Sequence, residues 1–244
     1  GITAFESSQR TRAFIHVALG AVSALVNGGS TLYLFENGVG ALNLSCDSAQ
    51  IGSQCSRGTH PVFLRRMAAL VAAFFGRPFT IENPFLGATK AQMLPRSTDT
   101  CVASLLQRSF SCERFPNYPH KAPQCGGCAS CLVRRMSLHA AGHQDEGAAY
   151  TFDIFAPERS QGLRAKELLA QSKLAVQADN LHRQLESDDP WLALTSTWPE
   201  LLRAEWELKQ PNFDRLVITL LRQHVSEWQT FATATGRRQL KAVA

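Results

Sequence analysis

Residues 111–131, SCERFPNYPHKAPQCGGCASC, hold four of the seven cysteines in this chain of 244 residues. Cys125, Cys128 and Cys131 form two overlapping Cys-x-x-Cys steps, and Cys112 precedes Cys125 by a loop of twelve residues. Four thiolates in such a cluster are typical of a closed, tetrahedral structural zinc site. An iron–sulfur cluster also uses four cysteines and is the alternative, although its fourth cysteine is usually placed differently.

The residues around the cysteines support a metal site. Gly126 and Gly127 let the backbone turn tightly around an ion, because they have no Cβ atom to clash with it. The nearby histidines could replace a thiolate, but with four cysteines available we expect them at the surface or outside the ligand set; they are His120, His139 and His143. An odd number of cysteines with one tight cluster indicates a reduced, cytoplasmic protein rather than a disulfide framework.

Composition restricts the class of partner. The net charge is +5, with 19 Arg against 6 Lys, which is too weak a bias to indicate direct nucleic-acid binding. The longest apolar run, residues 13–26, contains His16 and is shorter than the roughly 18 residues that a membrane helix needs. We therefore expect no membrane partner.

Strand and helix patterns alternate in the first part of the chain. Residues 31–35 and 79–82 are predicted strands, and helices are predicted at 8–27, 60–75, 90–94, 99–107 and 128–141. This order predicts parallel strands joined by crossover helices. Two or three strands are few for a parallel sheet, which favours a sheet completed by further sequence. After residue 147 helices are predicted at 160–186, 190–208 and 212–233.

Polar residues follow the predicted strands or begin the predicted helices. In an open α/β sheet these positions converge on one crevice, where phosphates bind. Lys90, preceded by Thr89, is the candidate catalytic cation. The other candidates for nucleotide or substrate binding are Arg12, Glu36, Asn37, Arg57, Thr59 and His60. Helix capping and turn formation explain Asn37 and Thr59 equally well.

Three segments resemble a known family. NPFLGATKAQML at 83–94, SC at 111–112 and CGGCASCLVR at 125–134 look like the 7-cyano-7-deazaguanine synthase family, QueC. Gln92 stands where that family often has an acidic residue. FENGVGALN at 35–43 and SRGTHP at 56–61 look more like the QueC-like proteins of anti-phage cassettes, of the Qat and CBASS type.

The resemblance implies a fold and a reaction. The family belongs to the ATP pyrophosphatase superfamily, so residues 1–147 are expected to form part of a parallel-sheet, adenine nucleotide alpha hydrolase-like (PP-loop) domain with a zinc-binding loop. It also implies ATP with Mg²⁺, adenylation of a deazaguanine-type carboxylate, and attack by an amine. The superfamily's SGGxDS-type phosphate loop is absent from the sequence, so the chain resembles the carboxyl-terminal portion of such an enzyme.

The remaining residues, 148–244, are predicted to be a helical appendage. Apolar stripes and four Trp suggest that it binds a protein partner or forms a homo-oligomer; burial of each Trp against the α/β domain is the alternative. Two other functions stay open for the whole chain. One is a non-catalytic, zinc-stapled binding module, and the other is a housekeeping 7-cyano-7-deazaguanine synthase.

Overall fold

The computed structural model describes residues 12–45, 58–94, 100–113, 124–145, 150–152 and 165–235. Within these ranges the chain is mostly helical, with two strands, β1 (Thr31–Tyr33) and β2 (Thr80–Glu82). The helices in the same ranges are α1 (Arg12–Val26), α2 (Gly38–Leu42), α3 (Pro61–Phe75), α4 (Thr100–Arg108), α5 (Ala129–Ala140), α6 (Ala165–Leu185), α7 (Pro190–Thr197), α8 (Pro199–Leu208) and α9 (Phe213–Ala234).

The two strands pair in parallel, as the alternating pattern predicted. Leu32 of β1 lies opposite Ile81 of β2, and both side chains pack against apolar residues of α1 and α3. On the other face of the sheet the hydroxyl oxygens of Thr31 and Thr80 lie 2.9 Å apart in a hydrogen bond. The mixed α/β class is therefore confirmed in the described part of the chain.

The chain forms two compact units, and each combines early and late sequence. The first contains Gly1–Ala88 with Asp188–Leu220, and the second contains Thr89–Ser187 with Leu221–Ala244. Each unit contains residues from both of the predicted parts, 1–147 and 148–244, and that division stays a prediction. Helices from the late sequence bury apolar side chains in both units.

In the first unit the late helices complete the core beside the sheet. Leu201 of α8 is fully buried, and Trp198 is buried and donates its indole N–H to the Ser45 carbonyl oxygen at 3.2 Å. Arg66 of α3 forms an ion pair with Glu207 of α8, with 2.6 Å between Nη2 and Oε1. The core of the first unit therefore depends on helices that lie after residue 147 in the sequence.

In the second unit α5 packs against α6 and the end of α9. Its core contains Leu132 and Met136 of α5, Phe231 of α9, and Phe152. Arg222 of α9 donates from Nη2 to the Leu185 carbonyl oxygen at the end of α6, at 3.2 Å. Phe231 lies on α9, near the end of the chain, so the core of the second unit also depends on residues after 147.

Two helix predictions need correction. Residues 90–94, which were predicted as a helix, form only a turn. The predicted helix at 190–208 is two helices, α7 and α8, which meet at Trp198. The break follows from Pro199, which has no N–H to donate and disfavours helical geometry in the residue before it. The short helix α2 was not predicted; it begins where the Asn37 side chain accepts a hydrogen bond from the Gly40 N–H at 2.9 Å.

Helix α1 has apolar residues on its exposed side as well as on its buried side. Arg12 at its start is its one Arg, Lys, Asp or Glu, yet Leu19 and Val26 are 66% and 81% exposed. Across the described residues, none of the helices combines the length and the hydropathy that crossing a membrane requires.

Candidate metal centre

The four predicted ligand cysteines are brought together in the second unit. Cys112, Cys125, Cys128 and Cys131 are all buried, and their Sγ atoms all lie within 4.8 Å of one another. The Sγ atoms of Cys125 and Cys131 are 3.9 Å apart. A tetrahedron with Zn–S bonds of about 2.3 Å has edges of about 3.8 Å. The cluster therefore has the donor set and the spacing to hold a metal ion such as zinc.

A tight turn places two of these ligands. The backbone N–H of Cys128 donates to the Cys125 Sγ at 3.3 Å, which folds the chain back on itself within three residues. Gly126 in this turn has a φ of 80°, in the left-handed region that favours glycine. A Cβ atom at Gly126 would lie 2.0 Å from the Phe152 carbonyl oxygen, so both the conformation and the space demand glycine.

Hydrogen bonds from the surrounding chain bring Cys112 to the other three cysteines. The buried side chain of Gln124 accepts from the Ser111 N–H at 3.1 Å. Glu113 accepts from both the backbone N–H and the hydroxyl of Ser130, each at 3.1 Å. The Glu113 carboxylate thus caps the first turn of α5, where the Cys128 side chain makes no capping bond. A loop end and a helix start are thereby tied together around the cysteines.

The pKa values of Cys125, Cys128 and Cys131 are shifted by hydrogen bonds between their thiol groups. A side-chain hydrogen bond with Cys128 is the main reason that the pKa of Cys125 is lowered. The hydrogen bond with Cys125 raises the pKa of Cys128 to about 12, and the pKa of Cys131 is also raised. All of these thiols can be ionised together at neutral pH only if a cation offsets their charge, which is the environment of a metal ligand set.

Two arginines of α5 stand beside the cysteine cluster. Tyr150, which packs in the cluster, has its ring 4.4 Å from the Arg135 guanidinium carbon, and its hydroxyl accepts from Arg134 Nε at 3.1 Å. Arg135 also forms an ion pair with Asp145, with 2.6 Å between Nε and Oδ2. Burial is the main reason that the pKa of Tyr150 is raised, so its hydroxyl stays protonated and donates to Asp145. These contacts place two guanidinium groups around Tyr150, beside the cysteine cluster.

Thr89 and Lys90 lie in a helical turn of the same unit. Thr89 is buried: its N–H donates to the Gln92 side chain at 2.9 Å, and its hydroxyl accepts from the Gln92 N–H at 3.2 Å. This reciprocal pair is a capping box, in which Glu and Gln serve equally. Gln92 therefore keeps the hydrogen bond that an acidic residue could make at this position. Lys90 is half-buried and follows the cap directly.

The other candidate residues have local partners in the first unit. Asn37 and His60 cap α2 and α3, since Gly40 N donates to Asn37 and Val62 N donates to the His60 Nδ1 at 3.3 Å. Glu36 accepts from the Asn37 N–H at 2.9 Å, which places these two side chains together. Thr59 is half-buried, and Arg12 is exposed at the start of α1. Arg57 lies outside the described residues.

Several residues at these sites have no signal in the sequence. Tyr150 and Asp145 follow the cysteines in a segment with no recognisable motif. Glu227 accepts a hydrogen bond from the Thr89 hydroxyl at 2.6 Å across 138 residues of sequence. A single Glu on an amphipathic helix has no sequence pattern that points to a partner so far away. Sequence patterns alone could therefore not identify the contact between Glu227 and Thr89.

The fold and the site define a mixed α/β protein with a buried cluster of four cysteines that could hold a metal ion. Residues 54–142 match the family model described as queuosine biosynthesis protein QueC. This segment covers about a third of the chain and includes the four cysteines, Thr89 and Lys90, and over it the chain is QueC-like. Neither the curated proteins nor the solved structures contain a match.

Proposed function

We propose that this chain is part of a QueC-like, ATP-dependent ligase that acts on a 7-deazaguanine-type carboxylate in anti-phage defence. The family match over residues 54–142 is the observation that carries the proposal. The segments at 35–43 and 56–61, which look like those of the defence proteins, favour defence over housekeeping synthesis. The phosphate loop and the amine acceptor are expected to come from outside these 244 residues.

The proposed reaction has two steps. A carboxylate oxygen of the substrate attacks the α-phosphorus of ATP, which forms an acyl adenylate and releases pyrophosphate with Mg²⁺. An amine then attacks the acyl carbon, loses a proton, and displaces AMP, so that a C–N bond replaces the C–O bond. Both steps build negative charge on phosphate oxygens, and positioned cations stabilise such charge.

Lys90 is the cation to which the proposal gives this role. The capping box fixes the turn at Thr89 and Gln92, so the backbone that carries Lys90 has a defined direction. Arg12 and Arg57 are the further cations of the proposal. A preorganised charge contributes more than a mobile one, because no reorganisation is required when the reaction occurs.

A planar substrate would stack on the aromatic side chains after the two strands. Phe35 follows β1, is 68% exposed, and has its ring centroid 6.0 Å from that of Phe85, which follows β2. Asn83 donates from Nδ2 to the Glu36 carbonyl oxygen at 2.8 Å and so links the two strand ends. Glu36 and Asn37, together with Thr59 and His60, supply polar groups for a heterocycle's edge in this proposal. Purine-like rings bind well between aromatic faces and paired polar groups.

We also propose that Cys112, Cys125, Cys128 and Cys131 hold one structural zinc ion. Four thiolates leave no open coordination position, so the ion takes no part in the reaction. Its contribution is to the folding of the second unit, which also contains the Thr89 turn.

The experiment combines the full-length protein with ATP, Mg²⁺ and a carboxylated 7-deazaguanine, and measures AMP and pyrophosphate. We expect carboxylate-dependent formation of both products, and a loss of about 100-fold in Lys90→Ala, since removing one charge-stabilising donor costs roughly that much. Lys209→Asn is the matched control, because Lys209 has a φ of 50° and Asn tolerates this left-handed position. The isolated 244-residue chain is expected to form neither product, because it lacks the phosphate-loop motif.

Each arm has an outcome that would reject part of the proposal. Full-length protein that forms no AMP with any deazaguanine carboxylate rejects the ligase function. AMP formation by the isolated chain rejects the expected dependence on a phosphate loop from elsewhere. Activity with ammonia but with no protein amine would favour the housekeeping synthase.

A non-catalytic binding module is the second candidate, and exposed apolar side chains favour it. Trp206 and Leu202, one turn apart on α8, are 76% and 54% exposed, and α1 exposes Leu19 and Val26. Exposed Trp and Leu on helices are common where a protein partner or a second copy docks. A full-length protein that binds a partner through these residues but never forms AMP would establish this candidate instead.

A further inference from the structure

The Thr89 hydroxyl is tied to the last helix of the chain. Its Oγ1 donates to the Glu227 Oε1 at 2.6 Å, and both residues are buried in the second unit. A hydroxyl has one hydrogen to donate, and in Thr89 that hydrogen goes to Glu227 while the oxygen accepts from the Gln92 N–H. The capping box and the carboxylate are therefore joined through a single atom, Thr89 Oγ1.

Burying the Glu227 carboxyl group at this position lowers the stability of the folded state. Its Oε1 accepts from Thr89 and from the Gln223 side chain, at 2.9 Å for the latter, while its Oε2 is buried without a hydrogen-bond partner among the described residues. His224 precedes it by three residues on α9, but burial lowers the pKa of His224 to about 4, so it carries no charge at neutral pH. A buried carboxylate in this state costs folding free energy, and its presence needs an explanation.

Stability alone does not explain the pair. Replacing both partners of a buried polar contact with apolar groups of similar shape is often neutral or stabilising. A short, charge-assisted hydrogen bond instead fixes direction, because it holds the donor side chain in one rotamer. In Thr89 that rotamer is the one that completes the capping box before Lys90.

We propose that Glu227 is a positioning residue, which holds the Thr89 turn and thereby orients Lys90. The catalytic consequence rests on the proposed ligase function, in which Lys90 contacts the phosphates. Glu227 belongs to α9, so in this proposal a helix near the end of the chain helps to orient Lys90. A misplacement of about 1 Å in a reacting group can cost on the order of 100-fold in rate, so a support of this kind has a large effect.

The test uses five variants of the full-length, zinc-loaded protein. Thr89→Val and Glu227→Gln each weaken the contact, and Thr89→Val combined with Glu227→Leu replaces both partners with apolar groups. Thr89→Ser keeps the hydroxyl, and Gln229→Ala changes an exposed position on the same helix. Two readouts are measured: the acylation rate of the Lys90 amine relative to Lys209, by peptide mass spectrometry, and the rate of AMP formation.

We expect Thr89→Val, Glu227→Gln and the double variant to change the relative acylation rate of Lys90 at least about threefold. The same variants should lower kcat about tenfold or more, with a smaller change in the KM for ATP, as expected when positioning is lost. Gln229→Ala should match the wild type in both readouts, and Thr89→Ser, which keeps the hydroxyl, should stay closer to the wild type than Thr89→Val in both. The double variant should also keep its zinc. Comparing its melting temperature with that of Thr89→Val, which loses the same bond from the Gln92 N–H, separates positioning from folding.

The double variant decides the proposal. Suppose that this variant is folded and zinc-loaded. If its Lys90 amine is then acylated at the wild-type rate and it forms AMP at the wild-type rate, Glu227 has no positioning role. If wild-type protein forms no AMP at all, the ligase function fails, and the acylation rates still decide whether Glu227 orients Lys90.

Discussion

Cys128→Ser is expected to release the metal and to destabilise the second unit. Structural zinc sites contribute directly to folding, with apparent binding free energies on the order of 10 kcal/mol or more, and serine is a poor replacement for a thiolate ligand. Cys128 is also the residue at which α5 begins, so the loss reaches the helix that carries Leu132 and Met136. We expect zinc content near zero and a melting temperature lower by roughly 10 °C or more.

The matched control is Ser130→Ala, which lies between two ligands in sequence but supplies none. It removes the hydroxyl bond to Glu113, at 3.1 Å, and should cost about 1 kcal/mol of unfolding free energy while keeping the metal. Metal analysis and thermal denaturation of both variants test the expectation. Retention of zinc and of the wild-type melting temperature in Cys128→Ser would show that this cysteine is not a ligand.

Gly126→Ala is expected to be the most damaging glycine substitution near the site. Gly126 and Gly142 both have left-handed backbones, with φ of 80° and 76°, so an added Cβ strains each by roughly 1–2 kcal/mol. At Gly126 the new Cβ would also meet the Phe152 carbonyl oxygen at 2.0 Å, whereas at Gly142 nothing lies within 4 Å. The difference between the two variants therefore isolates the steric contact.

We expect Gly142→Ala to lower the unfolding free energy by about 1 kcal/mol, and Gly126→Ala by roughly 3 kcal/mol or more with faster zinc loss to a chelator. Denaturant titration at saturating zinc, followed by chelator competition, measures both quantities. Equal losses in the two variants would mean that the turn at Gly126 does not approach Phe152 as described.

The sequence predicts local features well where one short motif decides them. The cysteine spacing identified the four clustered thiols, because ligands within one turn and one loop leave few possible arrangements. Alternation of strand and helix patterns correctly predicted β1, β2 and the parallel pairing between them. Pro61 and Gly76, at the two ends of α3, likewise bounded that helix correctly.

Features that depend on distant contacts were beyond sequence patterns. The tail was predicted as a helical appendage, and sequence patterns could not show that Leu201 and Phe231 are each buried in a unit that also contains early sequence. The apolar stripes on α8 and α9 were visible, but nothing in a stripe specifies the surface it will cover. The contact between Thr89 and Glu227 was hidden for the same reason, since its partners are 138 residues apart.

The most direct test of the account is the metal content of the purified wild-type protein, measured by inductively coupled plasma mass spectrometry together with acid-labile sulfide and the visible spectrum. The buried cluster of four cysteines predicts one zinc ion per chain, no stoichiometric iron, no sulfide and no visible absorbance band. Stoichiometric iron with sulfide and visible absorbance, or protein that folds fully without any metal, would contradict the zinc-stapled architecture on which the rest of the account depends.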